Sequence, residues 1–295
     1  MRRIRLISAR TRVRQTPTDA PDGTDHAVNG RIELVALDID GTLLRSDRRI
    51  GRRTFEAIGR AVDRGVHVVL ASARPPRSLR NIREILELKT LQINYNGALI
   101  HDPTRNSHVF HQPLSSVVAK RVIRVARRAD PKVLVSIEIL DKWYTDHFDE
   151  SLPTETSKRF SPDFIGPLGS FLHVPVTKLM LLAPPRRLGG VRAAVESKLA
   201  GQIAMTISDP HLIQIIHPSV DKGAALARVA EYYGVEQRHV MAVGDAPNDA
   251  GMLRWAGLGA AMANGWRVTR EAADVIVKSN DKDGVAHAIN RYVLA

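Results

Sequence analysis

Short β-branched runs alternate with amphipathic helical stretches from residue 31 onward, and this alternation limits the fold more than any other feature of the sequence. ELVALDI (33–39) and VHVVLAS (66–72) are typical of strands, whereas TFEAIGRAVDRG (54–65) and SLRNIREILEL (78–88) have the spacing of surface helices. The strands are apolar on both faces, which is typical of a parallel sheet covered by helices on each side. The sequence therefore predicts an α/β fold with a doubly wound parallel sheet.

The pattern changes in the middle of the chain. Two long helical segments, near 114–129 and 186–199, lie beside strand-like runs in this region. The first pattern resumes with HLIQII (211–216). We therefore predict an interrupted core. The chain then divides into a flexible Arg-rich extension (1–30), a first core part (31–110), an inserted α+β domain (111–206) and a second core part (207–295).

The stretch VALDIDGTLL (35–44) is an apolar run that ends in two carboxylates, Asp38 and Asp40, followed at once by Gly41 and Thr42. Asp and Gly are common in surface turns, so the motif alone is also compatible with a turn. Its place after an apolar strand indicates a binding site, because ligands of an open parallel sheet bind at the carboxyl ends of the strands. Buried carboxylates there need a cationic partner or a metal ion.

Further segments place polar side chains where strands of this sheet are expected to end. Ser72 follows the second strand, Lys222 begins a helix, and GDAPND contains Asp245, Asn248 and Asp249. Simpler interpretations exist, because Ser often caps a helix and Lys is usually solvated. A plain helix start, however, does not require the two carboxylates and the amide of GDAPND together. Three carboxylates, an amide, a hydroxyl and an ammonium fit a magnesium ion and a phosphoryl group.

The composition narrows the metal and the partner. The chain has no cysteine, which excludes a thiolate nucleophile, a disulfide and a zinc–thiolate site and favours hard cations such as Mg²⁺. The net charge of +12 suits anionic partners, but six Arg lie in residues 1–30 and the other cations look scattered, with no aromatic-interleaved stripe. Nucleic acid is therefore not expected as a partner. No apolar run is long enough for a membrane span and no secretory signal is seen, so we expect a cytoplasmic protein without a membrane partner.

Four segments, DIDGTL (38–43), SAR (72–74), KG (222–223) and GDAPND (244–249), resemble in order the motifs of the haloacid dehalogenase (HAD) superfamily of phosphohydrolases. The long insertion, the turn NYNGA (94–98) and the extended match GDAPNDAGML resemble the Cof-type branch. The match covers nearly the whole chain after residue 31. The departures are small, Ile39 for a commoner Leu and Ala73 for a common Gly. The resemblance implies a Rossmann-like core with an inserted α+β cap domain.

The resemblance also implies a role for each motif residue. Asp38 would be the nucleophile that forms an aspartyl-phosphate, and Asp40 the general acid and base. Mg²⁺ would be held by the Asp38 side chain, the Asp40 backbone carbonyl and Asp245. The groups that would bind phosphate oxygens belong to Ile39, Ser72, Ala73, Lys222 and Asn248. The residues that would support the site from a second layer are Thr42, Arg74 and Asp249.

The inserted domain would close over the site and select the leaving group. Its candidate substrate-facing residues, none with motif support, are Arg124, Arg127, Trp143, Tyr144 and His147. We therefore expect a magnesium-dependent phosphatase of small phosphorylated metabolites such as sugar phosphates, acting as a monomer or homodimer. Two alternatives remain. One is a phosphoryl transferase or mutase that uses the same aspartyl-phosphate, and the other is a non-catalytic, basic, nucleic-acid-associated protein.

Overall fold

Two β-sheets organise the chain in a computed structural model that describes residues 30–154 and 156–295. The extension predicted for residues 1–30 lies outside the described residues, apart from Gly30. The strands are β1 Leu34–Leu37, β2 His67–Ala71, β3 Gln92–Asn94, β4 Leu99–Asp102, β5 Ser107–His111, β6 Leu134–Ile139, β7 Lys142–Thr145, β8 Phe164–Ile165, β9 Lys178–Leu182, β10 Ala204–Asp209, β11 Leu212–Ile216, β12 Val240–Gly244, β13 Leu258–Met262 and β14 Val275–Val277. The helices are α1 Arg52–Asp63, α2 Pro76–Ile85, α3 Ser116–Ala129, α4 Pro185–Leu199, α5 Lys222–Tyr233, α6 Ala250–Trp255, α7 Arg267–Ala272 and α8 Gly284–Tyr292.

The larger sheet has eight strands in the order β14-β13-β12-β1-β2-β3-β4-β5. The six strands from β14 to β3 are parallel, and β4 and β5 extend the edge as antiparallel strands. Every residue of the central strand β1 is buried, as expected for a strand covered on both faces. The predicted α/β class with a parallel sheet is confirmed, whereas the antiparallel edge was not predicted.

Helices cover both faces of this sheet. Apolar side chains of α1, α2 and α8 form one continuous core with the first face. Those of α5 and α6 form a second core with the opposite face. The amphipathic stretches therefore bury their apolar sides against the sheet and leave its carboxyl edge open to the inserted domain.

The smaller sheet has six strands in the order β10-β11-β9-β6-β7-β8 and is antiparallel except for the pair β7 and β8. One face packs against α3 and α4, through side chains that include Val122 and Val191 from the helices and Val135 and Leu181 from the strands. The other face carries Glu138, whose carboxylate lies 3.5 Å from the guanidinium of Arg77 in the larger domain. The helices therefore lie on the side of this sheet that faces away from the core.

The predicted end of the inserted domain at residue 206 is wrong. β10 continues to Asp209, and β11 pairs with β9 and β10 inside the smaller sheet. Four of the six residues in HLIQII are apolar, and such a run fits a buried strand of either sheet, so only the pairing partner decides its place. We propose that the inserted domain ends near Ile216, and the other predicted boundaries stay predictions.

None of the helices within the described ranges combines the length and the apolar character that a membrane span requires.

Candidate active site

Three neighbouring strands bring the motif residues to one edge of the larger sheet. β1 lies between β12 and β2 and is parallel to both. Asp38 follows β1, Ser72 follows β2 and Asp245 follows β12. Parallel strands lie about 4.8 Å apart, so residues just beyond three adjacent strand ends start close together. The predicted convergence of these segments at the carboxyl edge is therefore observed.

Lys222 lies between two carboxylates. Its ammonium donates to Asp38 Oδ1 and to Asp249 Oδ1, at 2.6 Å in each case. Lys222 is the first residue of α5, and Asp221 caps this helix by accepting from the N–H of Gly223 at 2.6 Å. The Lys222 side chain is 0% exposed. A buried cation in the first turn of a helix is unfavourable by itself, so the two carboxylates provide the compensation it requires.

The buried charges shift one another's pKa values. Burial lowers the pKa of Lys222, but attraction to Asp249 and Asp38 outweighs it and holds the pKa above the ordinary value. Burial raises the pKa of Asp38 well above its ordinary range, and the charge of Asp249 raises it further, while Lys222 opposes both. Burial also raises the pKa of Asp245 to about 6. Negative charge is thus in excess at this edge.

Three carboxylates form a cluster suited to a metal ion. Oxygen atoms of Asp38, Asp245 and Asp249 lie within 4.8 Å of one another. With Lys222 as the adjacent ammonium, the group has two excess negative charges when all three carboxyls are ionised. A divalent cation would cancel them, and hard carboxylate oxygens are the ligands Mg²⁺ prefers. The donor set therefore fits a metal, although Asp249, and not Asp40, supplies the third carboxylate.

Thr42 and Gly41 hold Asp245 in place. The Thr42 hydroxyl donates to Asp245 Oδ1 at 2.8 Å. Gly41 has φ +80°, and a Cβ at this position would overlap the Asp245 carboxylate. The motif therefore needs glycine here for both its backbone conformation and the close approach of the acid.

Asp40 is turned toward Arg74. The Arg74 guanidinium donates from Nε to Asp40 Oδ2 at 2.8 Å and from a second nitrogen to Oδ1. Arg74 is 8% exposed and Asp40 56%, so the ion pair lies at the mouth of the site. The Asp40 side chain is not part of the carboxylate cluster. The metal contact that the resemblance implied for its backbone carbonyl stays a prediction.

Ser72 and its neighbours form a tight turn at the end of β2. The buried Ser72 hydroxyl accepts from the N–H of Arg74 at 3.2 Å, and the Ser72 carbonyl accepts from the N–H of Asn96 at 3.0 Å. Ala73 lies between them, half-buried. Ile39 is fully buried and its carbonyl accepts from Leu44 at 2.9 Å. These contacts fix the loops, and phosphate binding by Ser72, Ala73 and Ile39 stays a prediction.

Asn248 and Asp249 lie at the start of the helical turn after β12. Asn248 donates from Nδ2 to Asn96 Oδ1 at 2.9 Å. Asp249 Oδ2 accepts from the N–H groups of Asp245 and Ala246, at 3.0 and 2.9 Å, while its other oxygen binds Lys222. Asp249 therefore holds the Lys222 ammonium in place.

Asn264 was not predicted as a site residue from the sequence. Its Nδ2 donates to the Gly41 carbonyl at 2.8 Å, and its Oδ1 accepts from the N–H of Asn280 at 3.0 Å. It therefore fastens the loop that carries Asp38 and Asp40. The only signal was an Asn-Gly pair after β13, which is common in turns and indicates no contact partner.

A polar contact joins the two domains beside this edge. Tyr95 and Asn96 both have a left-handed backbone, with φ 52° and 58°. While Asn96 accepts from Asn248, the Tyr95 hydroxyl donates to the carbonyl of Leu140 in the turn between β6 and β7, at 2.5 Å. Arg77 donates to the carbonyl of Asp141 in the same turn at 2.6 Å. The strained turn of Tyr95 and Asn96 therefore links the inserted domain to the sheet edge that carries the carboxylate cluster.

The substrate-facing candidates in the inserted domain do not share one site, although Arg127 and His147 line the same cleft. Arg124 and Arg127 lie on α3, on the side of the small sheet that faces away from the core. Trp143 is buried in an apolar cluster, and the Tyr144 ring packs on Phe171 with centroids 4.3 Å apart. Their predicted role in substrate contact stays without support.

Comparisons with known proteins agree with this architecture. A model of the haloacid dehalogenase-like hydrolases matches residues 35–289. The chain is 31% identical over 262 residues to the 5-amino-6-(5-phospho-D-ribitylamino)uracil phosphatase YitU of Bacillus subtilis, which covers 88% of this chain and 97% of that protein. It is 30% identical over 265 residues to the phosphatase YcsE, named for the same substrate and from the same organism, with 89% and 96% covered. A solved haloacid dehalogenase-like hydrolase from Bacteroides thetaiotaomicron superposes with a TM-score of 0.80 at 27% identity, with 88% and 99% covered. Because the family match spans both core parts and the insertion, the chain is an enzyme of the haloacid dehalogenase-like hydrolase family.

Proposed function

We propose that this enzyme is a magnesium-dependent phosphatase that hydrolyses small phosphate monoesters through an aspartyl-phosphate on Asp38. One observation carries the proposal. Asp38, Lys222, Asp245 and Asp249 come from three distant segments and meet in a buried cluster with two excess negative charges. Such a cluster suits a divalent cation and a phosphoryl group, and it has no evident role in folding alone.

The Asp38 carboxylate would open the reaction. Lys222 donates to its Oδ1, which leaves Oδ2 as the oxygen that attacks phosphorus. The bond between Oδ2 and phosphorus forms while the bond from phosphorus to the ester oxygen breaks. Asp40 gives its proton to the departing alkoxide. Water then attacks phosphorus, Asp40 takes up its proton, and the bond to Asp38 breaks to release inorganic phosphate.

Arg74 would control when Asp40 acts. A carboxylate that accepts two hydrogen bonds from a guanidinium is turned toward that group and not toward the ester. We infer that, when substrate binds, Asp40 leaves Arg74, takes up a proton from solvent water and gives this proton to the ester oxygen. The pair lies at the mouth of the site, where Asp40 is free to turn.

The remaining groups would bind the ester. The phosphate oxygens would be bound by the side chains of Lys222, Ser72 and Asn248 and by the N–H groups of Ile39 and Ala73. Asp38, Asp245 and the Asp40 carbonyl would hold Mg²⁺, which supplies positive charge between the anionic nucleophile and its anionic target. The relatives named as phosphatases of a phosphoribityl compound support a small phosphorylated metabolite, such as a sugar or polyol phosphate, as the substrate class.

The test is phosphate release from a panel of phosphorylated metabolites, with Mg²⁺ and with a chelator. We expect turnover that requires Mg²⁺ and disappears in the variant Asp38→Asn, whose near-isosteric amide cannot attack phosphorus. The matched control is Asp63→Asn, an exposed aspartate on α1, which should keep full activity. Undiminished turnover by Asp38→Asn, or transfer of the phosphoryl group to a second sugar in place of water, would contradict the proposal.

A further inference from the structure

The net charge of this chain is concentrated on one layer of the inserted domain. Residues 115–135, which include α3, carry six cations and one acid, and residues 184–202, which include α4, carry four cations and one acid. These two segments hold +8 of the total charge of +12, and residues 1–30 hold another +3. The expectation that the cations are scattered is therefore wrong, because the fold places both segments side by side.

The layer of α3 and α4 lies away from the sheet edge that carries the carboxylate cluster. α3 and α4 pack on one face of the small sheet, whereas Glu138 on the opposite face meets Arg77 of the core. Whatever binds the outer surface of α3 and α4 therefore does not contact the carboxylate cluster. The function of this surface is separate from the proposed phosphatase reaction.

Cations line a groove between the two helices. Arg121, Arg124 and Arg128 come from α3 and Lys198 from α4, and all four are exposed. In the part of the chain that the structure describes, no carboxylate forms an ion pair with any of them. The acids of the layer are already engaged, since Asp130 pairs with Arg187 at 3.2 Å and Glu196 with Arg192 at 3.5 Å.

The arrangement opposes helix stability. Lys120 and Arg124, and Arg124 and Arg128, are like charges four residues apart, a spacing that destabilises a helix. Bound phosphates would relieve this repulsion. Guanidinium groups, which dominate the layer, match phosphate oxygens with two parallel hydrogen bonds.

The surface chemistry favours a nucleic-acid duplex over the other polyanions. A membrane-binding helix inserts an apolar face, but the apolar faces of α3 and α4 are buried against their own sheet, and Val117 is the one large hydrophobic residue exposed on them. A single-stranded partner needs aromatic side chains on which bases stack, and neither helix has an aromatic residue. Phosphates of a duplex require only the cations that are present.

We propose that the α3–α4 surface binds the sugar-phosphate backbone of a nucleic-acid duplex, through Arg121, Arg124, Arg128 and Lys198, without reading base sequence. α3 has 14 residues and is about 21 Å long, a length over which duplex DNA carries about 12 phosphates. About four phosphate contacts predict a slope of about −3.6 for log Kobs against log salt.

The experiment uses the full chain and a fluorescent 20-base-pair DNA duplex, with binding followed by anisotropy from 50 to 300 mM salt. The test variant is Arg121→Glu/Arg124→Glu/Arg128→Glu. The matched control is Arg53→Glu/Arg80→Glu/Lys89→Glu, which reverses three exposed cations of the larger domain. It has the same net charge as the test variant. Both variants should keep wild-type hydrolysis of a small phosphate ester and wild-type circular dichroism, which shows that they are folded.

We expect the test variant to bind at least tenfold more weakly at 100 mM salt. Its slope of log Kobs against log salt should be less negative by about 2.7, and the affinity of the control should change less than threefold. A duplex RNA of the same length should bind within threefold of the DNA. The proposal is overturned if both variants lose affinity equally, because net charge alone would then explain binding. It is also overturned if the wild type does not bind at 50 mM salt, or if phosphatidylserine vesicles bind this surface and duplex does not compete.

Discussion

Replacing Lys222 with methionine tests the central electrostatic argument. The side chain is fully buried and donates at 2.6 Å to both Asp38 and Asp249, so its removal leaves two buried carboxylates without their cation. Methionine keeps nearly the same length and shape, and repacking should contribute less than about 1.5 kcal/mol. The change therefore reports chiefly on the missing charge.

The expected loss of stability is large. Removing one partner of a buried ion pair costs about 3–5 kcal/mol, because the remaining charge stays buried and uncompensated. Lys222 compensates two carboxylates, so we expect a loss near the upper end, about 5 kcal/mol. Each kcal/mol lowers the Tm of a protein of this size by about 2–4 °C, so the Tm should fall by about 10–20 °C.

The loss should depend on pH. Lys222 lowers the pKa of Asp38 against the effect of burial, so its removal raises that pKa further in the folded state. A carboxyl group whose pKa is raised in the folded state stabilises the fold at pH values below its ordinary pKa of 3.8. This stabilisation is lost as the pH rises through the folded-state pKa. The variant should therefore be most destabilised at pH 8 and less at pH 5, where Asp38 can take up a proton.

Urea unfolding followed by circular dichroism, with a chelator at pH 8 and pH 5, measures both effects. Lys89→Met, at an exposed lysine, should change stability by less than about 0.5 kcal/mol. The double variant Lys222→Met/Asp249→Asn should recover about 1–3 kcal/mol, because one uncompensated carboxylate is removed. A loss below about 1 kcal/mol at pH 8, or an equal loss at both pH values, would refute the reasoning.

Two further outcomes follow from the same site. Mg²⁺ at a hundred times its Kd should stabilise the fold by about 2.7 kcal/mol at pH 8. Mg²⁺ should stabilise the fold less at pH 5, because a proton competes for Asp245, whose pKa is about 6. Thermal melts measure this difference, and equal Tm shifts by Mg²⁺ at pH 5 and pH 8 would count against Asp245 as a ligand. Gly41→Ala should cost about 1–3 kcal/mol and raise the Mg²⁺ concentration needed for activity, because φ is +80° and the new Cβ meets the Asp245 carboxylate. The matched control is Gly59→Ala in α1, where a Cβ has no atom within 4 Å. In urea unfolding it should be neutral or stabilising by up to about 1 kcal/mol. A similar change in stability for both substitutions would contradict the argument.

Local patterns were sufficient to predict the α/β core and the strand ends that carry the site. An apolar strand followed by Asp38 and Asp40 identifies a carboxyl edge, and the spacing of GDAPND identifies its partner. These features depend on residues adjacent in the chain, whose chemistry and periodicity are visible without coordinates. They also sufficed to identify the family.

Contacts between distant segments were decided only by the tertiary structure. The sequence does not show that Leu212–Ile216 pairs with the inserted sheet, that Arg74 holds Asp40, or that Asn264 fastens the Gly41 loop. It likewise does not show that the charges of α3 and α4 share one layer. Periodicity fixes which face of an element is buried but not which element covers it. That choice depends on the packing free energy of the whole chain, and a linear pattern does not contain it.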